Sequence, residues 1–184
     1  NVETSQHLVN ALLSALNVMS SSQGTMNNLT FGNEKYQYYE TICSGSPAGP
    51  GYNGTDAIQV HMTNSRLTDP EILELKFPVL LDDFHIRPNS GGRGKYKGGN
   101  GTFRKITFKE PMELAILSSN RKIKPHGLNG GEDGKVGKNY IIRKNNTKET
   151  LEGCDYRKVK EGDSIIIETP TPGGYGKQNK LKNK

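Results

Sequence analysis

Tryptophan is absent from the 184 residues, and cysteine occurs only twice, at Cys43 and Cys154. Two cysteines without a CxxC motif offer neither a zinc quartet nor a disulfide scaffold, and this usage suits a reducing compartment. Apolar residues make up only 32% of the chain, and no apolar run is long enough to span a bilayer. No signal-type basic and apolar regions stand out either. We therefore expect a cytoplasmic protein without a membrane partner.

Glycine and basic residues are plentiful by contrast. The 22 glycines and 9 prolines predict a turn-rich fold with a modest core. The net charge of +6 permits partners that carry phosphate or carboxylate but identifies none of them. The ending KQNKLKNK predicts a basic disordered tail over 177–184 after a folded domain over 1–176. The sequence lacks an initiating Met and starts almost directly with a helical pattern, so we interpret it as part of a longer polypeptide.

Two segments have helical signals. Asp69 is a good N-cap, Pro70 suits the first helical position, and Pro78 ends a short helix. Near the start, HLVNALLSALNVM has the spacing of an amphipathic helix, with apolar residues three and four apart: Leu8, Leu12, Ala15, Leu16 and Met19.

Most of the remaining chain has the period of two that is typical of strands. LTFGNEKYQYYETI predicts one strand or a hairpin, and DAIQVHMTN predicts a strand with His61 on its polar face. Further strands are predicted in VLLDDFHI, FRKITF, ELAILSS, YIIRK and SIIIE. The pattern favours an α+β fold, predominantly antiparallel β and sandwich- or barrel-like, with an N-terminal amphipathic helix and one short internal helix.

The segment SGGRGKYKGGNG, residues 90–101, raises the question of phosphate binding. A Walker loop needs Ser or Thr after its Gly-Lys, but Gly94 and Lys95 are followed by Tyr96. A dinucleotide fingerprint needs GxGxxG between a strand and a helix, and the glycine spacing here is one residue too long. We do not expect this chain to bind ATP or NAD by itself.

Nucleic acid is a second interpretation of the same segment. Tyr96 and Phe103 could stack on bases, and five basic residues could contact phosphates: Arg93, Lys95, Lys97, Arg104 and Lys105. Acidic residues are mixed in throughout, which weakens the pattern. Tight turns and β-bulges that require glycines with positive φ are the favoured explanation.

His61 is the most suggestive isolated residue. A metal site would need further His or carboxylate ligands, and the other three histidines are far away in sequence. A structural histidine with a hydrogen bond is therefore favoured over a ligand. No GxSxG elbow or paired Cys and His marks a nucleophile.

Several segments together resemble a known family. They are NVETSQ, SQGTMNNLTFG, YYETI, GTDAIQVHMTNSRLTDPEILE, FHIRPNSGGRGKYKGGNG, KPHGLNGGEDGKVGKN and the final TPGGYG. Their order and spacing are similar to the C-terminal part of the hydantoinase B / 5-oxoprolinase family, over nearly the whole chain.

The resemblance implies an enzyme context that the residues alone do not give. The family includes ATP-dependent 5-oxoprolinase, N-methylhydantoinase and related carboxylases, in which a hydantoinase A-like, kinase-like half uses ATP and Mg²⁺. Its ring-opening members convert a cyclic amide to a linear acid, which is the activity that the resemblance implies here, and we expect an oligomer. The divalent metal ligands of related carboxylases lie before NVETSQ, so we expect no metal site in this fragment and no activity of it alone.

Carried over to this chain, the resemblance also implies site residues. His61, Asn64 and Arg66 of HMTNSR are the candidates for catalysis. The candidates for binding substrate or an anion are Arg87, Gly91, Gly92, Gly94, Gly99 and Gly101. We expect these loops to shape a subunit contact or the substrate pocket, with backbone N–H groups available to an anion.

Three departures from the family pattern leave the substrate open between 5-oxoproline, a hydantoin and another cyclic amide. Residues 169–176 read TPTPGGYG where members have TPGGGGYG, Tyr52-Asn53 replaces Trp-His, and EGCDYRKVK lacks the usual GGK-like run. Two alternatives also stay open. One is a non-catalytic scaffold or subunit-contact domain, and the other is a basic nucleic-acid-binding β module.

Overall fold

The computed structural model describes residues 2–178, and this part of the chain forms two helices and nine strands. The predicted basic tail falls mostly on residues 179–184, which lie outside the described residues. The elements are α1 (Val2–Ala15), β1 (Asn28–Gly32), β2 (Gln37–Glu40), α2 (Pro70–Lys76), β3 (Val79–Ile86), β4 (Thr102–Phe108), β5 (Met112–Leu117), β6 (Lys138–Ile142), β7 (Lys148–Leu151), β8 (Cys154–Val159) and β9 (Ser164–Glu168).

The strands form two antiparallel sheets. The four-stranded sheet has the order β2-β1-β5-β8, and the five-stranded sheet has the order β3-β4-β9-β6-β7. Neither sheet closes into a barrel, which confirms the α+β prediction in its sandwich-like form. Of the two alternatives predicted for 29–42, one strand or a hairpin, the structure has the hairpin, because β1 pairs with β2 from Leu29–Glu40 to Gly32–Gln37.

The core lies between the sheets and follows the alternation of the strands. In β4 every second residue is buried, so Ile106 and Phe108 face inward while the residues between them are only half-buried. Phe31 of β1 meets Phe108 edge-on at a centroid distance of 5.4 Å. Ser164–Ile167 of β9 are buried throughout, because this strand occupies the middle of its sheet between β4 and β6.

An ion pair crosses this core. Arg104 of β4 donates from Nε and Nη2 to the two carboxylate oxygens of Glu40 in β2, at 2.7 and 2.8 Å. Both side chains are no more than 3% exposed. The Tyr38 hydroxyl donates to the Glu40 carboxylate at 2.9 Å. Burial, and to a lesser extent the negative charge of Glu40, raises the pKa of Tyr38 to about 12. The bidentate pair therefore links the two sheets at a fixed register.

The short internal helix begins as the sequence predicts. The Asp69 carboxylate accepts hydrogen bonds from the backbone N–H groups of Glu71 and Ile72, and Pro70 occupies the first turn. Leu73 is the buried residue of α2 and joins the hydrophobic core. The cap and a single buried leucine thus hold α2 beside β3.

The predicted N-terminal helix is present, but its orientation reverses the usual one. An amphipathic helix normally packs its apolar face on the core. In α1 the buried residue is Gln6, whereas Leu8 and Leu12 are 66% and 58% exposed. The helix is held through its polar side chains, because the Glu3 carboxylate accepts from Asn28 at 2.6 Å.

Two sequence predictions about strands were incomplete or wrong. DAIQVHMTN is not a strand, because Ala57 and His61 have φ values of 48° and 56°, which interrupt an extended conformation. Ile58 makes only an isolated bridge to Ser44. The strands β7 and β8 lie in the polar region 143–160, where the alternation of apolar residues is too weak to predict them.

Candidate functional site

The glycine-rich loop between β3 and β4 lies in a layer of stacked loops. Tyr96 pairs with Tyr175 through reciprocal backbone hydrogen bonds of 2.9 and 2.8 Å. The N–H of Gly92 donates to the carbonyl of Pro172 at 2.9 Å, and the N–H of Gly99 donates to the carbonyl of Ser46 at 2.9 Å. The loop over 90–101 is therefore bonded on one side to residues 172–176 and on the other to residues 44–57.

Close approach of backbones explains the glycines. A Cβ atom on Gly99 would overlap the carbonyl oxygen of Thr55, and one on Gly92 would overlap that of Glu132. The prediction of positive φ was wrong for this loop, because the positive-φ glycines lie elsewhere, at 24, 51, 130, 162 and 176. What these positions require is the absence of a side chain, which lets the loops stack.

Most backbone N–H groups of the candidate glycines have partners inside the protein. The N–H groups of Gly91 and Gly101 donate to side-chain oxygens of Asn100 and Ser90, at 3.3 and 2.9 Å. Those of Gly92 and Gly99 donate to the carbonyls already described. Within residues 2–178, only the N–H of Gly94 among these five glycines has no partner. The neighbouring N–H of Arg93 is unpartnered within the same range.

A polar cleft of about 480 Å³ opens on this layer. Arg93 and Lys97 are exposed there, and their side chains make no hydrogen bond or ion pair within residues 2–178. The facing carboxylate of Asp56 is occupied, since it accepts from the N–H and Nδ2 of Asn100 at 2.6 and 3.0 Å. The cleft is lined by Asn53, Gly54, Asp56, Asn89, Gly91, Arg93, Lys97, Gly98, Asn100 and Gln178. Two free cations make it suitable for an anion.

Thr171, one of the departures from the family pattern, cross-links two loops. Its buried hydroxyl donates to the carbonyl of Ser90 at 2.7 Å and accepts from the N–H of Lys135 at 2.7 Å. A glycine would leave both backbone groups without this partner. The threonine therefore adds a rigid link beside the cleft.

The His61 turn lies apart from this cleft. His61 has φ of 56°, and its Nε2 is buried without a hydrogen-bond partner among the described residues. The next residue, Met62, donates its N–H to Oε1 of Gln6 at 3.0 Å, which ties the turn to α1. Asn64 and Arg66 are exposed and make no hydrogen bond or ion pair within the described chain. None of the three catalytic candidates lines the cleft.

Burial lowers the pKa of His61, and this gives a testable pH dependence. In the unfolded chain a histidine takes up a proton below about pH 6.5, whereas the folded chain keeps His61 neutral to lower pH. The unfolded state then binds more protons, so the free energy of unfolding should fall as the pH drops from 7.5 to 5.5.

The variant His61→Asn should flatten this pH dependence, because Asn tolerates positive φ and does not titrate. Urea unfolding at several pH values measures it, with His126→Asn as the control at an exposed histidine. Equal slopes for wild type and His61→Asn would contradict the assignment.

Arg87 occupies a structural position in this chain. Its Nη1 donates to the carbonyl of Thr169 at 2.7 Å, and its Nη2 lies 3.0 Å from the Glu168 carboxylate. The guanidinium is about one-sixth exposed and does not line the cleft. Of the residues predicted to bind substrate or an anion, the cleft lining contains Gly91.

The structure also reduces the basic surface that a nucleic acid would need. Arg104, considered above as a phosphate contact, is 2% exposed and paired with Glu40. Phe103 stacks on His85 at a centroid distance of 4.8 Å. In the part of the chain that the structure describes, no group of three or more His, Cys, Asp or Glu residues is placed to hold a metal ion. Neither α1 nor α2 combines the length and hydrophobicity that a bilayer-crossing helix needs.

Comparison with known proteins decides the family. The family model described as hydantoinase B/oxoprolinase matches residues 1–178. The chain belongs to the hydantoinase B/oxoprolinase family. It is 49% identical to 5-oxoprolinase 1 of Arabidopsis thaliana over 176 residues, which covers 96% of this chain and 14% of that protein. The chain thus spans about one-seventh of the length of this relative.

Two solved structures share the fold of this hydantoinase B domain. The crystal structure of an ATP-dependent caprolactamase from Pseudomonas jessenii superposes with a TM-score of 0.77 and 22% identity, covering 91% of this chain and 32% of that one. The nucleotide-free structure of an acetone carboxylase superposes with a TM-score of 0.71 and 17% identity, covering 92% and 28%. At these identities the likeness establishes the fold only.

The sequence did not single out Asp56 and Asn100, which line the cleft in this hydantoinase B domain. Asp56 and Asn100 are 44 residues apart in sequence and meet only because the loops stack. The signal that was present is the pair of basic residues in the glycine loop, Arg93 and Lys97, for which the sequence offered a nucleic-acid interpretation. The structure places both side chains at one polar cleft.

Proposed function

We propose that this chain is one module of an ATP-dependent amidohydrolase that opens a cyclic amide to a linear acid. The observation that carries the proposal is the 49% identity, over nearly the whole chain, to a protein named 5-oxoprolinase 1. The enzyme would be of the 5-oxoprolinase or N-methylhydantoinase type and would act with a hydantoinase A-like, kinase-like half that uses ATP and Mg²⁺. Its cytoplasmic location agrees with two free cysteines, Cys43 and Cys154.

The chemistry explains why two parts are needed. An amide carbonyl is a poor electrophile, and transfer of a phosphoryl group from ATP to its oxygen activates the carbon. Water then adds to that carbon, and the C–N bond breaks while nitrogen takes up a proton. A second water hydrolyses the resulting acyl phosphate to a carboxylate and phosphate.

The polar cleft is the part of this chain that suits such a substrate. Arg93 and Lys97 supply two cations that no carboxylate of the described chain neutralises. Charge-assisted hydrogen bonds to a carboxylate or phosphate are about twice as strong as neutral ones. We assign the cleft to the anionic group of the substrate or of its phosphorylated intermediate. Asn64 and Arg66 remain candidates for contact with the reacting ring from a second surface.

The test uses the complete hydrolase that contains this chain together with its ATP-using half. ATP turnover should rise on addition of 5-oxoproline, a hydantoin or another lactam. The double variant Arg93→Gln with Lys97→Gln should raise KM for the responsive substrate about tenfold, which corresponds to one lost charge-assisted contact. Lys109→Gln, at an exposed lysine outside the cleft lining, is the control and should leave KM unchanged.

Two outcomes would redirect the assignment. ATP turnover that responds to none of the cyclic amides would count against an amidohydrolase. A responsive enzyme whose kinetics are unchanged by the cleft variant and by His61→Ala with Arg66→Ala would favour the alternative function, a scaffold or subunit-contact domain. The observation behind that alternative is that four of the five candidate glycines use their N–H groups inside the protein.

A further inference from the structure

Three leucines form an exposed row on the N-terminal helix. Leu8, Leu12 and Leu16 recur every four residues and are 66%, 58% and 63% exposed. Leu16 follows the last residue of α1 but continues its turn, because its N–H donates to the carbonyl of Leu12 at 2.9 Å. At 100° per residue the three side chains lie within about 80° of one another around the helix axis. We call these three residues the leucine stripe.

The opposite side of the helix is fixed to the rest of the domain by hydrogen bonds to two of its polar side chains. Gln6 is fully buried and accepts from the N–H of Met62 at 3.0 Å. Asn10 accepts from the N–H of Ser22 at 2.7 Å. If the helix rolled to bury its leucines, these backbone N–H groups would lose their partners, at a cost of about 1–3 kcal/mol for each one left buried. The leucine stripe is therefore held outward.

The stripe has the character of a contact surface rather than of scattered exposed leucines. Residues 8–18, LVNALLSALNV, contain no charged side chain. Val18, two residues beyond Leu16, is also 42% exposed. Adjacent exposed apolar side chains on one side of a helix are a feature of interaction sites. Spacing of four between apolar anchors is the pattern by which a helix enters an apolar groove.

The size and charge of the stripe favour one occupant. From Leu8 to Leu16 it extends about 12 Å along the axis. It has three residues, whereas a standard interface between separate molecules has roughly 20–30 residues on each side. Helices that lie on membranes carry Lys and Arg on their polar side, and residues 1–34 contain neither. A small stripe is sufficient where the partner surface belongs to the same polypeptide, because the tether raises its effective concentration.

The relatives contain such a polypeptide. This chain covers 14% of 5-oxoprolinase 1 and 32% of the caprolactamase chain, so both have a large additional segment in the same chain. We propose that the leucine stripe docks into an uncharged, apolar groove of the polypeptide that accompanies this domain in the longer hydantoinase B protein. The inference rests on the proposal that the chain is one module of a longer protein, and it is independent of the substrate.

The test compares the 184-residue chain with the longer protein that contains it. The stripe variant is Leu12→Lys with Leu16→Lys. The matched control is Leu75→Lys, at a leucine that is 81% exposed in the last turn of α2. In the 184-residue chain both variants should melt within about 2 °C of wild type, because the replaced side chains are already in water. In the longer protein the stripe variant should melt at least about 5 °C lower and the control should not.

Backbone hydrogen exchange in α1 provides a second measurement. It should be slower in the longer protein than in the 184-residue chain, and the stripe variant should abolish the difference. Equal melting of stripe variant and wild type in the longer protein, or a gene that encodes only these 184 residues, would overturn the proposal. So would a dimer of the 184-residue chain, or its binding to phosphatidylcholine vesicles, if the stripe variant abolished it. None of these measurements depends on turnover, so a failure of the proposed activity would be recognised separately.

Discussion

Replacing Glu40 by glutamine is expected to destabilise the protein by about 3 to 5 kcal/mol, although the two side chains have nearly the same size. The change removes only the negative charge and leaves the Arg104 guanidinium buried at 2% exposure without a counterion. An uncompensated charge inside a core is among the costliest single defects in a folded protein. Urea unfolding of the variant and of wild type measures the difference.

A double variant separates two contributions to the free energy of unfolding: the cost of one uncompensated charge and the net contribution of the ion pair. Glu40→Leu with Arg104→Met removes both charges and fills the space with apolar side chains, so stability should return to within about 1 kcal/mol of wild type. Tyr38 keeps one partner in this variant, because its oxygen also lies 3.1 Å from the Thr68 hydroxyl, within hydrogen-bond distance. If Glu40→Gln were as stable as wild type, the pair would contribute nothing to the link between the sheets. A double variant as unstable as Glu40→Gln would contradict the uncompensated Arg104 charge as the cause of the instability.

The fold was predictable where local signals and tertiary context agree. The capping of α2 depends on Asp69 and Pro70, which are adjacent in sequence, and the structure confirms it. The same locality misled the prediction for residues 56–64, where alternation suggested a strand. The turn there depends on a contact from Gln6, more than fifty residues away, to the N–H of Met62.

The orientation of α1 shows a second limit. Periodicity identifies an amphipathic helix but does not say which side faces the domain. In α1 the side that carries Glu3 and Gln6 faces the domain, because these side chains accept hydrogen bonds from the Asn28 side chain and the Met62 backbone N–H. The exposed leucines would have been assigned to the core by pattern alone.

For the candidate cleft, the sequence indicated one bordering loop but not the reason for its glycines. The glycine loop was singled out from sequence, and it does border the polar cleft through Gly91 and Gly98. Its glycines were expected to provide positive φ, yet stacking against loops from residues 44–57 and 172–176 decides their identity. Both partner loops are distant from the glycine loop in sequence, so the residues around that loop do not predict the contacts.

Replacing Gly99 by alanine should therefore destabilise the protein by about 3 kcal/mol or more, which lowers the melting temperature by about 6 to 12 °C. The added methyl group would overlap the carbonyl oxygen of Thr55, a backbone atom that cannot move aside as a flexible side chain would. Gly99 also donates its N–H to Ser46 at 2.9 Å, so any shift that relieves the overlap strains this bond.

The control is Gly51→Ala, which isolates backbone conformation from close packing. Gly51 has φ of 95° and no atom within 4 Å of its added Cβ, so alanine there carries only conformational strain of about 1 to 2 kcal/mol. Thermal unfolding of the two variants side by side measures the difference, and Gly99→Ala should be clearly the less stable. The reverse order would mean that φ, not backbone contact, limits the glycines of this layer. Gly54 and Gly98 belong to both the stacked loops and the cleft. Gly99→Ala should therefore also lower the affinity of the cleft for the anion proposed to bind there.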